Sequence, residues 1–149
     1  MAQGDLIIFS QFKVDLGLSL HDLNADEIRV AFVDDTITPA ANTADPRWGA
    51  GGTTNLSTNK GSGGNFPADG EDITNSYVAS GADALFDGTT NIAYAKNASN
   101  PADSRWAIIY NFADTGKRCI AAVDLGAVAD GTAGAVNVTW NASGIFTVS

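Results

Sequence analysis

The chain has little of the residue types from which many catalytic and metal sites are built. Among its 149 residues are one cysteine and one histidine. A single cysteine excludes an intramolecular disulfide and any metal site built on several cysteines. The sequence also lacks a G-x-S-x-G nucleophile motif, a Walker A motif and a dinucleotide-binding glycine fingerprint. We therefore expect a protein that is not an enzyme and that uses no cofactor and no metal.

Positive charge is also scarce. The chain carries 8 Lys and Arg residues against 17 Asp and Glu residues, which gives a formal net charge of −9. This balance argues against binding to a nucleic-acid backbone, for which a basic face is expected. No apolar segment approaches the roughly 18 residues of a membrane-spanning helix, and the run DLIIF is too short for the core of a signal peptide. We expect synthesis in a cytoplasm without export by a standard signal, and no membrane partner.

The sequence does contain enough apolar residues for the core of a single domain spanning 1–149, since 44% of them are hydrophobic. Residues 1–38 hold apolar runs with few glycines. In EIRVAFVDD, the alternation of Ile28, Val30 and Phe32 with their neighbours predicts a half-buried strand. The run DLIIFSQFKVDLGL is rich in β-branched and aromatic residues, and we interpret it as extended structure too.

Residues 39–76 are dominated by Gly, Ser, Thr, Asn and Asp, with Leu56 and Phe66 almost alone as apolar anchors. This composition predicts one extended loop. A loop of more than about 15 residues inside a compact domain is usually functional or disordered. Ordering costs roughly 1–2 kcal/mol per residue, so we expect any order in this segment to come from a contact outside the domain.

Residues 77–149 return to regular structure. RWAIIYNF and RCIAAVDLG are β-prone runs joined by ADTGK, which predicts a hairpin. AVNVTW predicts another strand, and Ser143–Gly144 allows a bend before a last strand at Ile145–Val148. Short strands with glycine-rich turns predict an all-β fold, as a single-domain β-sandwich or a jelly-roll-like form.

Three kinds of residue could still carry chemistry. His21 has no patterned nucleophile near it in the sequence. The acidic stretches at Asp34–Asp35, Asp69–Asp72 and Asp83–Gly88 could supply oxygen ligands to calcium, but Asp and Gly are also the ordinary residues of turns, which is the interpretation we favour. Cys119 stands in an apolar run and is expected to be a buried structural thiol.

The frame A-D-x-R-W occurs twice, as ADPRW ending at Trp48 and as ADSRW ending at Trp106. The flanking residues do not match, so the frame does not mark a duplicated domain. Trp106 opens a strand and is expected in the core, sharing a face with Ile108 and Tyr110. Trp48 precedes the glycine-rich segment. It is either a core residue at the edge of the fold or, with Arg47, an interface anchor of the type enriched at binding hot spots.

Both ends of the chain resemble a family of small bacteriophage structural proteins. The segments that carry the resemblance are FSQFKVDLG and HDLNADEIRVAFV near the start, then SRWAIIYN, AAVDLG and WNASGIF in the second half. These are packing and turn motifs, not catalytic ones. Residues 49–76 depart from the family's pattern.

The resemblance implies a virion structural protein, most plausibly a decoration (cement) protein on the outer surface of the capsid. Its implied partners are the major capsid protein and copies of itself in a homotrimer. The alternatives are a tail or tail-fibre-associated protein, or a carbohydrate-binding β-sandwich in which Trp48 would stack on a sugar. The residues we expect at the interface are Met1, Gly4, Leu6, Arg47, Trp48, Leu56 and Phe66.

Overall fold

The computed structural model describes residues 2–148, which form thirteen strands, one α-helix and one 3-10 helix. In chain order these are β1 (Leu6–Ile8), α1 (Ser10–Gly17), β2 (Ile28–Val33), β3 (Pro46–Arg47), β4 (Thr54–Asn55), the 3-10 helix (Leu56–Asn59), β5 (Lys60–Gly61), β6 (Glu71–Asp72), β7 (Asn75–Ser80), β8 (Asp83–Gly88), β9 (Ile92–Tyr94), β10 (Ser104–Asn111), β11 (Cys119–Ala129), β12 (Val136–Val138) and β13 (Phe146–Val148). None of the described helices is long and apolar enough to cross a membrane.

The main sheet has the order β1–β11–β10–β2–β5, and β6 also pairs with β2. All of its pairings are antiparallel. Strands β10 and β11 form the predicted hairpin, and β2 lies beside β10. The burial of β2 does not alternate as the sequence pattern predicts, since residues on both of its faces are buried: Ala31 is as buried as Val30 and Phe32. A central strand covered on both faces has no solvent side.

Three smaller sheets complete the fold: β13–β8–β7, β12–β9 and the parallel pair β3–β4. The ring of Phe32 on β2 lies 5.7 Å from that of Tyr94 on β9, so the β12–β9 ribbon packs against the main sheet. Phe86 on β8 stacks on Phe146 on β13 at 4.9 Å. The buried apolar side chains form one core running from Ile7 to Phe146. The predicted all-β fold is confirmed, with smaller sheets packed against the main one as in a sandwich.

The second half of the chain follows the sequence prediction closely. Trp106, Ile108 and Tyr110 on β10 are buried in the core, as is Cys119 at the start of β11. Burial also raises the pKa of the Cys119 thiol, so the group stays neutral. One stretch differs: Asp83–Gly88 is strand β8, not a turn. Its central residues are apolar, and the strand pairs with both β7 and β13.

The prediction that DLIIFSQFKVDLGL is extended is wrong over half its length. Only Leu6–Ile8 is a strand, and Ser10–Gly17 is helical. Tertiary packing explains the difference, because one turn of helix brings Phe12 onto Phe146 at 5.7 Å. A hydrogen bond from Gln11 Nε2 to Asp15 Oδ1 at 2.8 Å spans one turn and supports the helix locally.

The prediction of one extended loop at residues 39–76 is also corrected. The segment contains short strands and the 3-10 helix, and it inserts its few apolar side chains into the core: Trp48, Leu56, Phe66 and Ile73. Asn55 Oδ1 accepts hydrogen bonds from Gly49 N and Ser57 N, which fixes the backbone between the first two anchors. The order of this segment therefore comes from its own domain.

Gly70 shows how closely the segment approaches the sheet. Its φ is +66°, and a Cβ at this position would overlap the carbonyl oxygen of Val30. Only glycine fits both the left-handed conformation and the close approach. This turn leads directly into β6, which pairs with β2.

Candidate functional site

An apolar groove lies between the N-terminal and C-terminal elements of the fold. We call it the terminal groove. Its volume is about 420 Å³, and it is lined by Ile8 of β1, by Phe12, Lys13 and Leu16 of α1, and by Phe146, Thr147 and Val148 of β13. Among these described lining residues, Lys13 carries the only charge. In a chain of net charge −9, this surface is unusually free of acidic side chains.

Two strand edges border the terminal groove. In the described part of the chain, β1 pairs only with β11 and β13 pairs only with β8. Phe9 N donates to Ile120 O at 3.0 Å, and Asp5 O accepts from Asp124 N at 2.9 Å. In an antiparallel ladder this places the backbone groups of Leu6 and Ile8 on the side away from β11. An edge of this kind can accept an added strand from another chain.

Helix α1 also presents apolar side chains to solvent. Val14 is 54% exposed and Leu18, just after the helix, is 63% exposed. Residues four apart share a helix face, so this pair forms an apolar patch on the side of α1 opposite to Phe12 and Leu16, which line the groove. Two of the four large hydrophobic side chains exposed in residues 2–148 lie here; the others are Val78 and Val128. Clustered apolar exposure of this kind is typical of a protein-binding surface.

Three of the apolar residues predicted at the interface lie elsewhere, in the core. Trp48 is 2% exposed, and Leu56 and Phe66 are 3% exposed. The ring of Trp48 stacks on Tyr110 at 5.2 Å, and that of Phe66 lies 4.2 Å from Tyr94. With at most 3% of their surface exposed, these three side chains lack the contact area that an interface anchor needs, so the interface role predicted for them is corrected. For the same reason Trp48 cannot stack on a sugar.

Arg47 is also buried, although it was predicted to anchor a partner with Trp48. Its Nε donates to Asp45 Oδ1 at 2.7 Å, and its Nη1 donates to Gly116 O at 3.4 Å. The hydrogen bond with Asp45 raises the pKa of the Arg47 guanidinium above its ordinary value. Its donors serve to hold residues 45–48 against the β10–β11 hairpin.

Gly4 and Leu6, two of the remaining predicted residues, lie at the edge of the main sheet. Gly4 is exposed with a φ of +88°, and its N–H donates to Asp124 O at 2.8 Å. Leu6 is half-buried on β1, two residues before Ile8, which lines the terminal groove. Met1 lies outside the described residues. The described members of the predicted set therefore do not form one surface, and none of them lines the terminal groove.

The two A-D-x-R-W frames use their residues in similar ways. The guanidinium of Arg105 is paired with both oxygens of the buried Asp124 carboxylate and lies 4.7 Å from the Trp106 ring centre. In each copy, then, the arginine binds an aspartate and the tryptophan is buried. In both places the frame has a structural role, since the arginine forms an ion pair and the tryptophan packs in the core.

His21 belongs to a buried polar network, not to a catalytic arrangement. Asn111, fully buried at the end of β10, is its centre. Asn111 Nδ2 donates to Asp26 Oδ2 at 2.6 Å and lies 3.3 Å from His21 Nδ1, while its Oδ1 accepts from Asp114 N at 2.9 Å. Because both partners fix the amide orientation, a donor faces Nδ1, and the proton of neutral His21 resides on Nε2.

Charged groups surround this network. Arg118 Nη1 lies 2.6 Å from Asp114 Oδ1, and Arg118 Nε lies 3.5 Å from Asp15 Oδ2. Burial lowers the pKa of His21 from its ordinary 6.5; Asp15, Asp114 and Asp26 oppose the shift, and Arg118 adds to it. These hydrogen bonds and ion pairs link α1, the loop before β2 and the β10–β11 hairpin, and we interpret their role as structural.

We expect the protein to lose stability as the pH falls below 6.5, the ordinary pKa of histidine. The unfolded chain then takes up a proton that folded His21 resists, which costs up to roughly 1.4 kcal/mol per pH unit. Urea denaturation from neutral pH to about pH 5 measures this slope. Since the chain has one histidine, His21→Gln should flatten the profile; an equal slope in the variant would assign the effect to other groups.

The acidic turns have structural roles in two of the three stretches. Asp34 Oδ1 accepts from Thr36 N at 2.9 Å, and Asp72 Oδ1 accepts from Thr74 N at 2.7 Å. Both are turns in which the aspartate bonds to the backbone two residues later. Among residues 2–148, no three His, Cys, Asp or Glu side chains lie together as metal ligands would.

Sequence reasoning missed the residues of α1 that form the terminal groove. The signal was present, because Phe12 and Leu16, and likewise Val14 and Leu18, are spaced four apart.

Comparisons of the chain with protein-family models, with curated proteins and with solved structures found no match. The function must therefore be inferred from the geometry described above and from the sequence motifs.

Proposed function

We propose that the protein is a non-enzymatic bacteriophage virion protein that decorates the outer surface of the capsid and stabilises the shell. The observation that supports the proposal is an apolar N-terminal region: the terminal groove with two strand edges lies on one side of α1, and the exposed Val14–Leu18 patch lies on its other side. Such a surface suits binding to another protein through strand addition and apolar contact. The sequence resemblance to small phage structural proteins supplies the class of partner, the major capsid protein.

The proposal includes self-association as a homotrimer located on the virion. Decoration requires many copies on a repeating shell, whereas a tail or tail-fibre-associated protein is needed in few. Quantitative mass spectrometry of purified particles of the encoding phage separates the two. We expect a copy number comparable to that of the major capsid protein. A copy number of a few per particle would favour the tail, and light scattering of the isolated protein tests the trimer.

We expect Val14→Asp to weaken binding to particles that lack the protein by about 1–2 kcal/mol, because it places a charge within the apolar contact. The matched control is Val78→Asp on β7, since Val78 is 52% exposed against 54% for Val14. Both variants should keep the wild-type unfolding midpoint. Co-sedimentation with particles measures binding. Wild-type binding by Val14→Asp would exclude α1 as the contact, and a loss confined to Val78→Asp would move the contact to β7.

A further inference from the structure

A second cavity lies beside β6 and β9. It shares no lining residue with the terminal groove. It has a volume of about 550 Å³, and its chemistry is set by Asn65, Glu71, Thr90, Asn91, Ile92 and Tyr94. A cavity of this size, with several polar groups converging on it, is within the range of small-ligand sites. Neither the sequence motifs nor the proposed capsid contact uses it.

The polar side chains of this cavity are held in place by contacts behind them. Asn65 Nδ2 donates to Ala95 O at 2.8 Å, which leaves its Oδ1 as an acceptor. Asn91 Oδ1 accepts from Trp140 N at 3.0 Å, which leaves its two amide hydrogens as donors. Trp140 Nε1 also donates to Thr90 O at 2.8 Å. The strand end at β9 is therefore fixed before any ligand binds.

Two groups bordering the cavity have no partner among residues 2–148. Glu71 forms no ion pair or side-chain hydrogen bond there. Tyr94 is 5% exposed, and its buried hydroxyl has no hydrogen-bond partner in the described structure. Burial and then the Glu71 carboxylate raise the pKa of this hydroxyl, so it remains a donor. An unsatisfied buried donor is costly, and a hydroxyl-bearing ligand beside Glu71 would supply its partner.

We propose that this cavity binds a saccharide. Sugar hydroxyls each donate and accept hydrogen bonds, and the cavity offers both roles: acceptors at Glu71 and Asn65, donors at Asn91 and Tyr94. Ala93 and Ala95, both exposed, add apolar surface for the C–H face of a sugar ring. None of the described lining residues is Lys or Arg, so a phosphate or another anion is poorly matched. The site is independent of the capsid contact.

The test is a glycan array probed with the full chain, followed by NMR titration with the saccharides that bind and, in parallel, with neutral monosaccharides at up to millimolar concentration. We expect saturable shifts at Glu71, Asn91 and Tyr94. Glu71→Gln and Asn91→Ala should each weaken binding about tenfold, since each removes one strong hydrogen bond. The matched control is Asp103→Asn, an exposed carboxylate that does not line the cavity.

Tyr94→Phe separates a ligand role from a packing role. It removes an unpaired hydroxyl and keeps the ring, so the free protein should unfold at an equal or higher urea concentration while saccharide binding weakens. No binding on the array together with no saturable shift would overturn the proposal. Saccharide binding of wild-type strength in Glu71→Gln and Asn91→Ala would also overturn it. The same holds if unstructured peptides, and not saccharides, cause NMR shifts at the cavity residues. Each of these results leaves the capsid-binding experiment unaffected.

Discussion

Trp48→Ala should lower the free energy of unfolding by about 3–5 kcal/mol, the usual cost of deleting a large buried aromatic side chain. The ring stacks on Tyr110 with an interplanar angle of 22° and a centroid distance of 5.2 Å. The Trp48 backbone is also tied to the hairpin, where its N–H donates to Lys117 O at 2.9 Å. Removal of the indole leaves a cavity between residues 45–48 and β10. Urea denaturation at neutral pH measures the loss.

Two further variants make this result specific. Trp48→Phe keeps most of the apolar contact and should cost less than Trp48→Ala; the indole Nε1 has no partner among the described residues, so its removal carries no lost hydrogen bond. Leu18→Ala truncates a side chain that is 63% exposed and should change stability by no more than about 0.5 kcal/mol. If Trp48→Ala unfolded at the wild-type urea concentration and instead lost particle binding, Trp48 would be a contact residue after all.

Asn111→Ala should cost about 3 kcal/mol, because truncating this fully buried side chain removes three polar contacts at once. Asp26 Oδ2, Asp114 N and His21 Nδ1 all face the Asn111 amide, at 2.6, 2.9 and 3.3 Å. The damage should spread to the elements that these residues join. Hydrogen exchange should therefore become faster in the loop before β2 and in the β10–β11 turn, ahead of the central strands.

Asn111→Asp tests whether the donor, and not only the volume, matters. The variant is nearly isosteric, but it replaces a donor with a carboxylate beside Asp26. We expect it to destabilise the protein at neutral pH at least as much as Asn111→Ala does. Asn137→Ala is the matched control, since Asn137 is exposed on β12. If Asn111→Asp were as stable as the wild type, Asn111 Nδ2 would not be the donor to Asp26 Oδ2 and His21 Nδ1.

The elements that sequence patterns predicted well are those whose signal is local. The β10–β11 hairpin has two long β-prone runs joined by polar turn residues, and it forms as predicted. Helix α1 was missed because its composition favours a strand, whereas contacts with distant residues, such as that of Phe12 with Phe146, stabilise the helical conformation. The order of residues 39–76 was missed for a related reason. Their sparse apolar residues look insufficient until the core pockets that receive them are known.

The candidate site was predicted only in part. Leu6 was assigned to an interface but does not line the terminal groove, although Ile8 on the same strand does, whereas Trp48 was assigned there on its residue type alone. An aromatic residue next to arginine in a polar stretch has the composition of a hot spot. Whether it is exposed depends on Tyr110, which is far away in sequence and adjacent only after folding.

By itself, the sequence determined the all-β class, the C-terminal strands, the burial of Trp106 and Cys119, and the acidic character of the surface. These follow from period-two patterning, turn residues and charge, which act between near neighbours. Only the tertiary structure decided that Trp48, Leu56 and Phe66 are core residues, that α1 is helical, and that β1 and β13 border one groove. Burial and surface proximity depend on contacts between distant segments, and no local pattern encodes which segments meet.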